Sequence, residues 1–489
     1  MQLRTKNYRD FQILEGETIL KTFSGALYAG KALPGDTVIP TDAGCELVRR
    51  TDHPPIAGLL ELRSKVRYGM TAKHHPIYLF TPFQEAYPPF IVGCSEKDIS
   101  VNRLALITFD SWTGNLPRGL LQRFLASDEE ALSWTYTPLA CQRYKGDLPP
   151  EPSIEDRRAL RAFHIDPPGC RDVDDVLTIE GSTVTITISD VAAHIPKGHP
   201  LDLRAAQIAQ TFYQDGAARP VFPAALSEDR MSLLPGAYKA GLSLSFDLED
   251  PTRVEWFPSQ VQTVATYTYE SIYEATDLCA NLRRMATALG QPSEDSHEWI
   301  EVAMKFYNTE AAKLLRKFQT GLLRCHAKPK DLAALLANPA TRFLAFAAAE
   351  YVASDHPSPF HHGLATELYT HATSPIRRYA DLINQRAIKA ILAGTTVPPI
   401  EPVAHLNHVS KQAKRHDREL VFMKAIRSGP AVVEGIVIGR QDGRVSVYVP
   451  AWQTCVKATG DPEEEVVKLT YYADMTARNW KRRMILRIV

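Results

Sequence analysis

The sequence predicts an α+β multidomain chain, and three observations carry that reading. Its 489 residues exceed one ordinary hydrophobic core and suggest about three units. Short runs with an apolar residue at every second position, the period of a half-buried strand, lie towards both ends and at the start of the middle part. Longer apolar stripes at helical spacing fill the rest of the middle part.

Residues 1–150, closed by the linker Leu148-Pro149-Pro150-Glu151-Pro152, mix short β-like runs with helical pieces. Leu33 to Pro40 reads as a turn followed by a strand, and Leu116 to Leu125 as a helix with Pro117 at its start. A small β-barrel and a winged helix both fit this part. Residues 151–429 open with a hairpin. Val176-Leu177-Thr178-Ile179 is β-prone, Gly181-Ser182 suits a two-residue turn, and Val184, Ile186 and Ile188 alternate with Thr183, Thr185 and Thr187. This part then turns helical. Ala205, Ile208, Ala209 and Phe212 make one stripe, stopped near Gly216, and Ile300, Met304, Tyr307, Ala311, Leu314, Leu315 and Phe318 a longer one, ending at Gly321. Such stripes are core, and no cofactor is read from them. In residues 430–489, Val433, Ile436 and Ile438 precede a turn at Asp442-Gly443 and the alternating Val445, Val447 and Val449, which reads as a hairpin of a small barrel. Trp480, Lys481, Arg482, Arg483 and Arg487 follow, a basic and aromatic mixture suited to single-stranded nucleic acid.

Lys plus Arg and Asp plus Glu stand at 56 each, which argues against a protein that coats polyanions indiscriminately and leaves nucleic-acid contact to local patches. No segment is long and apolar enough to span a bilayer; the richest, Phe343 to Ala349, ends at Glu350. Met1 to Asn7 lacks the apolar core of a secretion signal. The seven cysteines are scattered without a Cys-x-x-Cys pair, so neither a zinc ribbon nor a disulfide framework is indicated. The expectation is a cytoplasmic monomer with reduced thiols and no membrane partner.

Chemistry concentrates in two places. Asp166, Asp172, Asp174 and Asp175 crowd one short run, where they repel one another unless a cation sits among them. Clusters of Asp with Pro and Gly are usually solvated turns, but this run passes directly into the predicted hairpin. Hard oxygen ligands suit Mg²⁺ or Mn²⁺, and the register does not match a calcium-binding EF-hand loop. Asp172 and Asp174, two apart, share a face if extended, and Asp175 points the other way.

The second place is Thr373 to Ile383. Ser374 suits an N-cap and Pro375 the first helical position, with Ile376, Ala380, Ile383 and Ala387 at core spacing until Gly394. First turns favour acids, yet this one begins with Arg377 and Arg378, a misplacement of roughly 0.3–1 kcal/mol per charge that a bound anion would offset. Guanidinium groups at a helix start form a phosphate clamp, whereas a surface pair between Arg378 and Asp381 is the bland alternative. An acidic metal loop and an arginine clamp are the two halves of phosphodiester hydrolysis.

At these residues the chain resembles the ribonuclease II / ribonuclease R family of 3′→5′ exoribonucleases, in the catalytic region called the RNB domain. The matching motifs are His164-Ile165-Asp166 with Asp172-Val173-Asp174-Asp175, Ile188 to Ala192, Pro220 to Pro223 with Leu226-Ser227 and Ser232-Leu233, and His371 to Asp381. The resemblance implies a central RNB catalytic domain over 151–429, a mixed sheet surrounded by helices. It implies an N-terminal nucleic-acid-binding module over 1–150, a divergent cold-shock-like barrel or winged helix, and a C-terminal S1-like OB barrel over 430–489. It further implies that Asp166, Asp172, Asp174 and Asp175 surround Mg²⁺, with Asp174 the most critical. Tyr213 would position the 3′-terminal nucleotide and Arg377 would steady the scissile phosphate. The basic helix around Lys414 and Arg418 reads as an RNA track or a wet face, with Arg378 a further RNA contact. The family's later glutamate has no clear counterpart; Asp417 and Glu419 are its two candidates.

The expected activity is processive, Mg²⁺-dependent hydrolysis of single-stranded RNA from a free 3′ end, releasing nucleoside 5′-monophosphates. The alternatives are an RNA-binding regulator that keeps the fold without the chemistry and a phosphoesterase acting on other substrates.

Overall fold

The computed structural model describes residues 1–16, 18–214, 217–327, 348–399, 401, 403–429, 431–441, 444–475, 477 and 480–489. The chain divides into two compact units, Met1–Gln142 with Lys411–Val489, and Arg143–Ser410. Among the described residues no helix is long and apolar enough to cross a membrane.

In the first unit, strands Gln2–Thr5, Asp10–Glu15, Thr18–Ser24, Thr37–Pro40 and Cys45–Arg49 form an antiparallel sheet. Strands Ile56–Leu60, Ile77–Pro82, Phe90–Gly93, Arg103–Ser111 and Arg118–Phe124 then close into a barrel whose fourth strand pairs with its first and whose fifth runs parallel to its third. This is the five-stranded Greek-key barrel of OB type. Leu3, Phe11, Ile13, Leu60, Phe80 and Phe90 share one core across sheet and barrel. Residues 1–150, expected to hold one barrel or a winged helix, therefore hold two five-stranded sheets. Their strands are short and carry little local signal; Gln2–Thr5 buries only Leu3 and Thr5. The helix expected over Leu116 to Leu125 is instead the strand Arg118–Phe124, paired antiparallel with Arg103–Ser111 and with Gly119 packed on Ile107. Pairing with a neighbour has overridden local helical preference there.

A second OB-like barrel in this unit comprises Val433–Gln441, Arg444–Val449, Thr454–Thr459, Val466–Ala473 and Met484–Ile488, again with its third and fifth strands parallel. The expected hairpin is present; its turn at Asp442-Gly443 lies outside the described residues.

The second unit is built on a closed, mixed five-stranded barrel: Arg158–Ile165, Asp175–Glu180, Thr183–Ser189, Lys239–Asp247 and Val254–Tyr267, antiparallel except where the first strand meets the last. The hairpin read from sequence forms in the expected register, with Asp175 opposite Ile188 and Glu180 opposite Thr183. Val184, Ile186 and Ile188 are buried in one core with Met285, Trp299, Tyr307 and Ile388, contributed by helices Thr276–Ala288, Ser296–Lys317 and Tyr379–Leu392. Of the alternating threonines, Thr185 and Thr187 are buried too and Thr183 partly, so that face is not wet. Thr187 Oγ1 and Ser243 Oγ lie 2.7 Å apart, as do Ser243 Oγ and Ser259 Oγ, so a ladder of hydroxyls crosses three strands.

One stripe ends earlier than expected. The helix Pro200–Ile208 stops where Ala209 takes φ +62°, and Phe212 and Tyr213 lie on the strand Phe212–Gln214, paired with Ala217–Arg219. The expected stop at Gly216 is outside the described residues, as are positions 328–347, which include most of the apolar stretch noted above.

Candidate active site

The acidic run forms the loop from Arg158–Ile165 to Asp175–Glu180, and its backbone is pinned from three sides. Asp166 N–H donates to the Tyr267 carbonyl at 3.1 Å and Ser189 N–H to the Asp174 carbonyl at 2.8 Å. Ser232 Oγ accepts from Val173 N–H at 3.0 Å and donates to the Arg171 carbonyl at 2.7 Å, with Ser232 wholly buried. Gly169 takes φ +80° at the corner after Pro167-Pro168, a conformation that glycine adopts at little cost.

The four carboxylates find different surroundings. Asp166 Oδ2 lies 3.0 Å from His164 Nδ1. Asp172 Oδ2 accepts from the Tyr213 hydroxyl at 3.0 Å. Asp174, its side chain 3% exposed, accepts from Ile376 N–H at 2.9 Å and from Arg377 Nε at 3.1 Å. Asp175 has no side-chain hydrogen bond or ion pair among the described residues. Burial pushes the Asp174 carboxyl up to about 8 against the pull of Arg377 and the Ile376 N–H. Burial, then the charge of Asp166, pushes Asp175 up to about 7. The Cys170 thiol is driven up to about 12 by burial and by Asp166 and Asp172, which keeps it neutral.

The arginine segment differs from its expected form. The helix is Tyr379–Leu392 and its N-cap is Arg378, so Ser374 and Pro375 lie before it rather than at its start. The N–H groups there are claimed by carboxylates: Asp381 Oδ1 accepts from Ser374 N–H at 2.8 Å, and Asp174 takes that of Ile376. Arg377 and Arg378 thus precede the helix. Arg378 pairs with Asp381 at 2.8 Å, the partners of the bland alternative weighed above, but the pair is not on the surface, since Asp381 is wholly buried. Arg377 faces Asp174, its side chain 46% exposed, and its terminal nitrogens make no hydrogen bond among the described residues.

Tyr213 joins this group through backbone. Thr211 N–H donates to the Arg377 carbonyl and Tyr379 N–H to the Ala209 carbonyl, each at 2.8 Å. Tyr213 is 53% exposed, and burial together with Asp172 raises its hydroxyl pKa. The structure therefore brings together Asp166, Asp172, Asp174, Asp175, Tyr213 and Arg377. Lys414 and Arg418 belong to the other compact unit, where both are exposed and Arg418 Nε donates to the Lys414 carbonyl at 3.2 Å. Glu419, in that unit, is buried and accepts from Lys481 N–H at 3.1 Å; Asp417 is exposed beside His416.

Sequence reasoning missed three neighbours. His164 could have been found, since residues two apart in an extended segment share a face. Ser232 lay in a motif without a role. Tyr269, whose hydroxyl is raised to about 12 by burial, Asp166 and Asp175, stacks on His297 with ring centroids 3.9 Å apart; nothing local marks it.

The donor set can be tested against a metal. All four side chains offer hard oxygen, Asp175 lacks a hydrogen-bond partner among the described residues, and burial together with the proximity of Asp166 makes its ionisation costly, so this pair fits a divalent cation in chemistry. Among the described residues no three His, Cys, Asp or Glu side chains already converge as a metal-holding group, and Asp174 is turned to Arg377.

The raised carboxyls carry a consequence for stability. In the unfolded chain an Asp titrates near about 3.9, so above that pH the folded chain holds protons that the unfolded chain has lost. Stability must then fall as pH rises through the folded values. Between pH 6.5 and 8 the buried His194, lowered to about 4, is neutral throughout and does not oppose this. In EDTA the melting temperature should drop by a few degrees across that window, and Asp175→Asn should flatten the drop. An equal slope in both would contradict the assignment.

A model of the RNB domain matches residues 154–289 and 291–394. Human exosome complex exonuclease RRP44 is 25% identical over 471 residues, 73% of this chain and 49% of that protein. Exoribonuclease 2 of Klebsiella pneumoniae (strain 342) is 26% identical over 380 residues, 57% of this chain and 58% of that protein. The chain thus spans about half the length of the curated relatives it matches. In fold it is similar to the apo form of Mycoplasma genitalium RNase R, with TM-score 0.71, 14% identity and 98% of each chain covered. It is also similar to yeast Ssd1, described as a pseudonuclease, with TM-score 0.61, 16% identity and coverage of 98% of this chain and 80% of that one.

Proposed function

Because this chain belongs to the ribonuclease II / ribonuclease R (RNB-domain) family, we propose that it is a 3′→5′ exoribonuclease that hydrolyses single-stranded RNA and releases nucleoside 5′-monophosphates. The observation that carries the reading is the placement of Arg377 and Tyr213, joined through Thr211, over the four aspartates. Arg377 keeps Nε on Asp174 and, half-exposed, has its terminal nitrogens left to take a phosphate, where they steady the charge that grows in the transition state. Tyr213 offers an exposed ring to the 3′-terminal nucleotide while its hydroxyl is held by Asp172. Asp166 and Asp175, with Asp172 and Asp174 around them, are the residues that would hold Mg²⁺ or, in its place, Mn²⁺. Such an ion lowers the pKa of a bound water and neutralises phosphate oxygens. In the net reaction a water oxygen bonds to phosphorus, the bond to the upstream ribose 3′-oxygen breaks, and that oxygen leaves with a proton.

Lys414, Arg418 and the OB-like barrels supply further RNA contacts in this reading, and ribose hydroxyls favour RNA over DNA. A processive, monomeric, cytoplasmic enzyme is the form proposed. A second reading, an RNA-binding protein without turnover, is favoured by two observations: both oxygens of Asp174 are already occupied, and among the described residues no three His, Cys, Asp or Glu side chains converge as a metal-holding group.

A time course on 5′-labelled single-stranded RNA, 3′-tailed duplex RNA and a matched DNA oligomer, with and without Mg²⁺, separates the two. The expected result is stepwise shortening of RNA from the 3′ end, ended by EDTA and absent with DNA. RNA bound but never shortened would overturn the enzyme reading in favour of the second.

A further inference from the structure

His164 is a buried side chain that the mechanism above leaves unused. It sits on the strand Arg158–Ile165, 4% exposed, in parallel register with Thr266. Its Nδ1 lies 3.0 Å from Asp166 Oδ2, while its Nε2 is buried without a hydrogen-bond partner among the described residues. An ionised carboxylate can only accept, so Nδ1 carries a proton in this contact and Nε2 is left orphaned. An apolar residue would fill the same space without that orphan. The backbone of Asp166 needs no help from this ring, because its N–H is fixed by the Tyr267 carbonyl. Beside the Cys170 thiol, which also contacts the Asp166 carboxylate, the imidazole sets the direction of that carboxylate.

We infer that His164 is a positioning residue which aims Asp166 at a divalent cation shared with Asp175, and that the fold tolerates a buried unpartnered nitrogen for this purpose. The inference rests on the metal-dependent reading above. A partner that orients a ligating carboxylate is worth roughly 10–100-fold in metal affinity. Asp166 is the charged neighbour that, after burial, most raises the Asp175 carboxyl, so its orientation decides whether both carboxylates point at one place.

The test uses Mn²⁺ alone as probe, bound by the full chain and counted by loss of the free-ion EPR signal. RNA affinity in EDTA and melting temperature are measured beside it. His164→Phe is expected to weaken Mn²⁺ binding 10–100-fold, with RNA affinity unchanged and the melting temperature equal or higher, since the orphaned nitrogen is gone. His164→Asn, whose amide N–H can still donate to Asp166, is expected to recover most of the binding. A merely structural role predicts the opposite pattern: lower melting temperature and weaker RNA binding in both variants. If the unaltered chain binds Mn²⁺ and His164→Phe binds it equally well, the positioning role falls and the metal reading stands. If the unaltered chain binds no Mn²⁺, both fall.

Discussion

Replacing Asp174 with asparagine is expected to stop RNA turnover, by at least about 10³-fold, while single-stranded RNA remains bound. Asp174 touches the two things that assemble the site. Its Oδ1 takes the Ile376 N–H that fixes the arginine segment, and its Oδ2 takes Arg377 Nε. Asparagine keeps the first contact with its carbonyl, but its amide then presents N–H to the N–H of Arg377. Two donors repel, so the guanidinium is released just as the local negative charge is lost. Folding should survive, because the carboxyl replaced is one that burial already pushes towards neutrality. The measurement is a single-turnover rate on 5′-labelled RNA beside a binding isotherm in EDTA. Turnover equal to that of the unaltered chain would sink the site assignment, and loss of binding and turnover together would assign Asp174 a structural task.

The parts of this site legible in the sequence are those whose pattern is local. The hairpin from Asp175 to Ser189 could be read because Val184, Ile186 and Ile188 alternate with threonines on its second strand, and both the register and the placement of the acidic loop at its mouth followed. What failed were inferences in which a distant group decides. Ser374-Pro375 has the composition of a helix start, yet the helix begins at Tyr379, and Asp174 takes the Ile376 N–H that a Ser374 N-cap would serve. The stripe through Phe212 has helical spacing, yet Ala209 ends the helix at a positive φ, and Gln210 to Thr211 turn to bond with Arg377 and Arg378. That same departure places Tyr213 beside Asp172. Local propensity was overridden where the chain builds its site, as expected of positions held by function.

Arg377→Lys is expected to lose turnover by about 10²–10³-fold, and the comparison with Arg377→Ala tells why. The guanidinium uses Nε for Asp174 and has two further nitrogens to offer to a phosphate, a planar division of labour that one ammonium cannot reproduce. Lysine keeps the charge, however, and charge is what Asp174 and Asp175 feel. Arg377 lowers the pKa of both, against burial that holds them near about 8 and about 7. Alanine removes that influence, so both carboxyls must move further up, and a larger fraction is protonated at neutral pH. The sign is therefore fixed: the rate profile of Arg377→Ala should shift to higher pH as well as fall, whereas that of Arg377→Lys should fall with little shift. Guanidinium ion added to the alanine variant should move its profile back. Identical profiles in the two variants would mean that Arg377 acts on the phosphate alone and that its contact with Asp174 serves only the fold.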